Sequence, residues 1–196
     1  MNTNILIVED ELITAETIAE LLQEEEHNVM GIAKSAAEAI AICEKGEVWP
    51  AIVICDINIK GAIKGTELSI TLKNRFGCEI IFLTAYSDAK TVASAFESEP
   101  VMYVVKPFQD SQLLVAVQLA FHKILKKQQH ISTSKLELTS REKEIAHLIA
   151  EGMSSKQIAR KLMISIETVK THRRRMLQKN NISNFPHLVY LLNKEN

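Results

Sequence analysis

Apolar positions in the first 122 residues alternate between two patterns. Short continuous runs, "NILIVED", "NVMGIA", "AIVICD", "EIIFLTA" and "VMYVVKP", have the length and β-branched content of strands. Between them, "LITAETIAELLQEEE" and "SAAEAIAICEKG" place apolar residues at helical spacing, the second opened by Ser35 and stopped by Gly46. Further helices are expected near 66–75, from about Asp88 and from Asp110, the first preceded by a loop with Gly61 and Gly65. Five strands, each followed by a helix, predict an α/β doubly wound, five-stranded parallel sheet covered on both faces. The strands are apolar throughout and do not alternate, which agrees with burial on both sides.

The last of these helices, "DSQLLVAVQLAFHKILKK", runs toward the polar stretch "QQHISTSK", which has no apolar period. A linker is expected over 124–135, separating a domain of residues 1–123 from one of residues 136–196. The second domain reads as four short helices. "LTSREKEIAHLIAEG" opens with Thr139 and has Glu142 three residues on, a capping box, with Gly152 at the C′ position. "SSKQIARKL" repeats the device with Ser154 and Gln157, "SIETVKTHRRRMLQKN" is opened by Ser165, and "NFPHLVYLLN" ends the series. The second and third are joined only by "MIS", as in a helix-turn-helix.

Charge sharpens this division. The net charge is -1, but residues 1–122 hold 8 Lys+Arg against 18 Asp+Glu, net -10, and the remaining 15 Lys+Arg and 6 Asp+Glu give net +9. Two halves of opposite sign point to different partners, nucleic acid for the basic one. The N-terminus has no basic n-region, which argues against a signal peptide, and no apolar stretch approaches membrane-spanning length. Cys43, Cys55 and Cys78 are odd in number, scattered and flanked by apolar residues, as expected of buried, reduced thiols in a cytoplasmic protein.

Ligands of a doubly wound sheet collect where the strands' carboxyl ends emerge. There the first strand ends in Glu9 and Asp10, the third in Asp56, the fourth in Thr84 and the fifth in Lys106-Pro107. Any one of these alone reads as a solvated strand-end residue. Three converging carboxylates repel one another unless a cation is present, and oxygen ligands with open positions suit Mg²⁺. An aspartate beside that ion can attack a phosphoryl group, while Lys106 and Thr84 hold its oxygens. Neither a Walker-type loop nor a Rossmann glycine fingerprint is present.

"ILIVEDE", "IVICDIN", "IFLTAYS" and "YVVKPF" resemble, in order, the motifs of the receiver domain of two-component response regulators, a flavodoxin-like fold, over about residues 3–122. The resemblance implies Asp56 as phosphoacceptor, with Mg²⁺ held by Glu9, Asp10, Asp56 and the Asn58 backbone carbonyl. It also implies Thr84 and Tyr103 as a switch pair, Lys106 as the phosphate contact, a cis Lys106–Pro107 peptide and a sensor histidine kinase as donor. Two departures stand out: the first acid is Glu9 where Asp is commoner, and the loop "INIKGAIKG" lacks the usual Met-Pro and is one residue longer. Tyr86 occupies the position where family members tune phosphate loss, and its bulk is expected to hinder the attacking water.

At about 100° per residue, the helix over 166–179 places Ile166, Val169, Met176 and Leu177 on one packed side. Lys170, Thr171, Arg174 and Gln178 lie opposite, with His172 and Arg175 flanking. Arg174 then faces base edges and Arg175 suits phosphates. Arg173 falls inside the apolar stripe and is expected to snorkel or to pair with Glu142 or Glu144, a structural role. An isolated "HRRR" run would read as a solvated face; a capped helix-turn-helix in a basic half favours DNA. "LTSREKEI", "IAEGMSSKQIA", "LMISIETVKTH" and "RRRMLQKN" closely resemble the DNA-binding domain of the LuxR/NarL class, without a gap over 138–180. By that resemblance Lys170, Thr171 and Arg174 face bases, and Ser165, Thr168, His172, Arg175 and Lys156 lie near phosphates. Dimers form through the last helix, about 184–193, where "LVYLL" is expected to supply the apolar contact.

Together these features predict a DNA-binding transcriptional response regulator, not a turnover enzyme, switched by phosphorylation of Asp56 through dimerisation and DNA binding. Two rivals remain at this level. A signalling adaptor would use its C-terminal helices only to dimerise, and a metal-dependent phosphatase would need a second acid where Asn58 stands.

Overall fold

The structure, a computed structural model, describes residues 3–85, 98–127 and 136–195. The chain divides into two compact units, Asn2–Phe108 and Gln109–Asn196.

In the first unit the five expected strands are β1 (Asn4–Val8), β2 (Asn28–Ala33), β3 (Ile52–Asp56), β4 (Glu79–Thr84) and β5 (Met102–Val105). They form one sheet in the order β2-β1-β3-β4-β5, and every pairing is parallel. Ile5–Val8 and all of β3 and β4 are buried, which explains their unbroken apolar runs. Most of β2 and β5 is only partly buried, because these strands close the two edges. The helices are α1 (Leu12–Glu24), α2 (Ala36–Lys45) and α3 (Gly65–Phe76). Ser35 caps α2 by accepting from the Glu38 amide at 3.3 Å. The helix expected from about Asp88, and Tyr86, lie outside the described residues.

The second unit opens with α4 (Asp110–Lys127), which continues four residues into the span expected as linker. Its contacts group it with α5 (Ser140–Ala150), α6 (Ser155–Leu162), α7 (Ile166–Lys179) and α8 (Phe185–Glu195). Leu125 of α4 enters their core beside Ile145, Ile149, Ile158, Val169 and Leu188. The Gln118 amide donates to the Ile149 carbonyl, and the His122 and Tyr190 rings stand 5.1 Å apart. Gly152 permits this approach. It has φ +84°, and a Cβ there would overlap Val115 Cγ2 and lie 2.9 Å from the Ser111 carbonyl oxygen.

Both capping boxes form: Thr139 with Glu142 on α5, and Ser154 with Gln157 on α6. Ser165 caps α7 by accepting from the Thr168 amide at 3.0 Å. Arg173 is buried at 2% exposure, its Nη1 donating to Ser155 Oγ at 3.0 Å and its guanidinium 4.9 Å from the Phe185 ring centroid. Two expectations are not met. Ile166 is not in the packed face; as the first residue of α7 it stands beyond the core that Val169 and Met176 enter, and it is 42% exposed. The "LVYLL" residues Leu188–Leu192, expected to supply an apolar contact between subunits, are buried within this chain, because α8 supplies core to α4, α5 and α7 at once.

Candidate functional site

Strands β1 and β3 are neighbours, with Val8 level with Cys55, so Glu9 and Asp56 leave the sheet side by side. This is the switch point of the β2-β1-β3-β4-β5 order, where a doubly wound sheet opens a crevice. Carboxylate oxygens of Glu9, Asp10 and Asp56 all lie within 4.8 Å of one another. From β5, the Lys106 ammonium donates to Glu9 Oε2 at 2.5 Å and to Asp56 Oδ2 at 2.7 Å. The Lys106 amide donates to the Thr84 carbonyl at 2.7 Å, and the Lys106–Pro107 peptide is cis. Asp56 is thus held on both oxygens, since the Asn58 amide donates to Oδ1 at 2.9 Å.

The electrostatics follow from this crowding. Burial, and secondarily the Asp56 charge, raises the Glu9 carboxyl above the usual carboxylate range despite the Lys106 hydrogen bond. For Lys106, burial works against the charged form, but hydrogen bonds to Asp56 and Glu9 outweigh it and the net shift is upward. Three hard oxygen donors carrying excess negative charge fit a divalent cation such as Mg²⁺.

Two contributors were not singled out from sequence. Lys60, 85% exposed, pairs with Asp10 Oδ2 at 3.0 Å and supplies a second cation to the cluster. Gly65 opens α3 against the loop that follows Asp56: a Cβ there would overlap the Asp56 carbonyl oxygen and lie 3.0 Å from Ile57 Cα. The only sequence signal for either was its place in "INIKGAIKG". Thr84 and Tyr103 project from one face of the sheet, because Phe82 is level with Tyr103 and Thr84 lies two residues beyond Phe82. The Tyr103 ring stacks on Phe82 at 5.7 Å and packs against the core, and burial raises its phenol. The three cysteines are free and buried; burial pushes the Cys78 thiol up to about 12.

On the second unit, Arg174, Arg175, Ser165, Thr168 and Lys156 are exposed, and Lys170, Thr171 and His172 are partly so. The Ser165 and Thr168 hydroxyls are 2.8 Å apart, so both take part in the cap at the leading end of α7. The short α6–α7 turn, with Met163 in the left-handed region at φ 54°, gives a helix-turn-helix whose second helix carries the basic face.

A family model described as response regulator receiver domain matches residues 5–118, and one described as bacterial regulatory proteins, luxR family, matches 136–192. The chain belongs to the response regulators. The transcriptional regulatory protein TdiR of Thauera aromatica is 32% identical over 187 residues, covering 90% of this chain and 79% of that protein. The transcriptional regulatory protein LiaR of Bacillus subtilis (strain 168) is 28% identical over 195 residues, 91% of each chain. Among solved structures, response regulator StyR matches with TM-score 0.53 and 27% identity over 99% of this chain and 100% of that one. This response regulator therefore joins a receiver domain to a luxR-type DNA-binding domain, in a family of transcriptional regulators and not of enzymes. Among the described residues, no helix is long and apolar enough to cross a membrane.

Proposed function

We propose that Asp56 accepts a phosphoryl group from a sensor histidine kinase and that the resulting aspartyl phosphate switches dimerisation and DNA binding in the cytoplasm. The observation that carries this reading is the arrest of Asp56 on both oxygens, by the Asn58 amide and Lys106, within a three-carboxylate cluster. A carboxylate oxygen of Asp56 forms the new O–P bond as the donor's P–N bond breaks, and the leaving imidazole keeps the electron pair and takes a proton. Glu9, Asp10, Asp56 and the Asn58 carbonyl would hold Mg²⁺, which would neutralise charge on the phosphoryl oxygens. Lys106 exchanges its carboxylate partners for a phosphoryl oxygen, and the Thr84 hydroxyl takes another. Tyr103, on the same sheet face as Thr84 and stacked on Phe82, is placed to carry a shift of Thr84 from the phosphoryl group to β5.

The DNA-binding reading assigns Lys170, Thr171 and Arg174 to base edges, and Ser165, Thr168, His172, Arg175 and Lys156 to phosphates. It is supported by their full or partial exposure on and beside one helix of a basic unit. The experiment is binding to genomic DNA fragments at fixed salt with Mg²⁺, with and without beryllofluoride, alongside Asp56→Asn. Tighter specific binding with the mimic, absent in the variant, is expected. Binding that ignores the mimic removes the switch, and no binding in either state favours the adaptor.

A further inference from the structure

Among the described residues of 136–195, the exposed large apolar side chains are Met163, at 92%, and Ile166, at 42%. Both lie within three residues of Ser165, the N-cap of α7. Neither serves the fold. Ile166 is absent from the apolar core that Val169, Met176 and Leu177 join. As a β-branched first residue it also adds little to helix propensity. Met163 carries two costs at once: a left-handed backbone at φ 54°, where Gly or Asn is easier, and nearly full exposure of a thioether chain to water.

Their position is informative. On a wheel at 100° per residue, Lys170 lies only about 40° and Arg174 about 80° from Ile166, one and two turns further on, so neither stands opposite Ile166 as expected from the sequence. Ile166, Lys170 and Arg174 are therefore successive members of a single strip, and Ile166 is its leading one. The leading residues of a helix docked in the major groove are those that reach base edges. An apolar group among basic ones cannot contact a phosphate favourably. The one apolar feature that bases present in the major groove is the thymine C5-methyl group.

We infer that Ile166, with Met163 beside it at the turn, reads thymine methyl groups in the major groove, and that this apolar contact contributes sequence specificity beyond the basic residues. The inference rests on the DNA-binding reading above. A buried methyl corresponds to about a fourfold change in affinity.

The test uses the full chain with beryllofluoride and Mg²⁺, and a pool of random duplexes from which bound sequences are enriched. Each thymine of the enriched site is then replaced by deoxyuridine, which removes only the methyl. The wild type is expected to weaken about fourfold at one or two thymines. Ile166→Ala or Met163→Ala should lose affinity for the thymine site and become indifferent to deoxyuridine at the matching position. Met163→Asn, which suits the left-handed backbone, should raise the melting temperature while weakening DNA binding. An enriched site indifferent to every deoxyuridine overturns the inference and leaves DNA binding intact. Equal deoxyuridine penalties in wild type and both alanine variants also overturn it, and point to the Thr171 methyl instead. No enriched sequence at all removes the DNA-binding reading and this inference together.

Discussion

Lys106 Nζ lies 2.7 Å from Asp56 Oδ2, and the two residues come from strands that are not neighbours: β3 and β5 are separated by β4. The same ammonium reaches Glu9 at the end of β1, so one cation ties together three strands of the sheet at its carboxyl edge. Because Glu9 and Asp56 are buried, this is more than a solvent-screened surface pair.

Lys106→Met should therefore destabilise the receiver by on the order of 3 kcal/mol, since it leaves two buried carboxylates uncompensated. Thermal denaturation with and without Mg²⁺ checks this, and the ion should stabilise the variant more than the wild type. A variant that melts like the wild type without Mg²⁺ would show that Lys106 contributes nothing to the resting site.

At the proposed Mg²⁺ site, Lys60, which pairs with Asp10 at 3.0 Å, would compete with the cation for that carboxylate. Lys60→Ala should tighten Mg²⁺ binding by about a factor of two to five, the scale of one exposed ion pair. Lys60→Glu should tighten it further. Calorimetric titration measures both, and an unchanged affinity in each variant would mean the Lys60–Asp10 pair is lost in solution.

Gly65→Ala should cost about 2 kcal/mol or more, because the Asp56 carbonyl leaves no room for a methyl. The strain falls on the backbone of Asp56 and Ile57, so if Asp56 accepts the phosphoryl group as proposed, beryllofluoride binding should weaken along with the melting temperature. Gly61→Ala is the contrast: its φ of +127° strains the backbone, but nothing lies within 4 Å of the added Cβ.

Glu142 predicts a pH dependence. Burial opposes its ionised form, but hydrogen bonds from Thr139 and the charge of Lys179 outweigh it and hold the carboxyl below the usual range. A lowered folded value means stability that is present above the ordinary carboxylate range and lost as pH falls through the folded value. Glu142→Ala should cost about 1 kcal/mol near neutral pH, as for other cap losses. The gap to the wild type should close on acidification, as followed by thermal melts across pH.

Much of this fold was legible along the chain. Continuous apolar runs named the five strands, because a sheet covered on both faces admits no polar alternation at its centre. The capping boxes of Thr139 and Ser154 named helix starts, because the partners lie three residues apart and local geometry alone satisfies them. Strand-end acids and Lys106 pointed to the cluster that Glu9, Asp10, Asp56 and Lys106 form, because the doubly wound topology sends all carboxyl ends to one edge.

Other features were decided only by the tertiary structure, where residues remote in sequence meet. The exposure of β2 and β5 depends on strand order, which an apolar run does not encode. Lys60 on Asp10, and Arg173 between Ser155 and Phe185, are contacts across loops and helices that no local period reports. The grouping of α4 with the C-terminal helices rests on a glycine at position 152 that lets two backbones approach. The exposure of Ile166 follows from where the core ends, not from its place on a helical wheel. Local hydrogen bonds and periodicity act within a few residues, whereas burial and charge pairing depend on which surfaces the whole chain brings together.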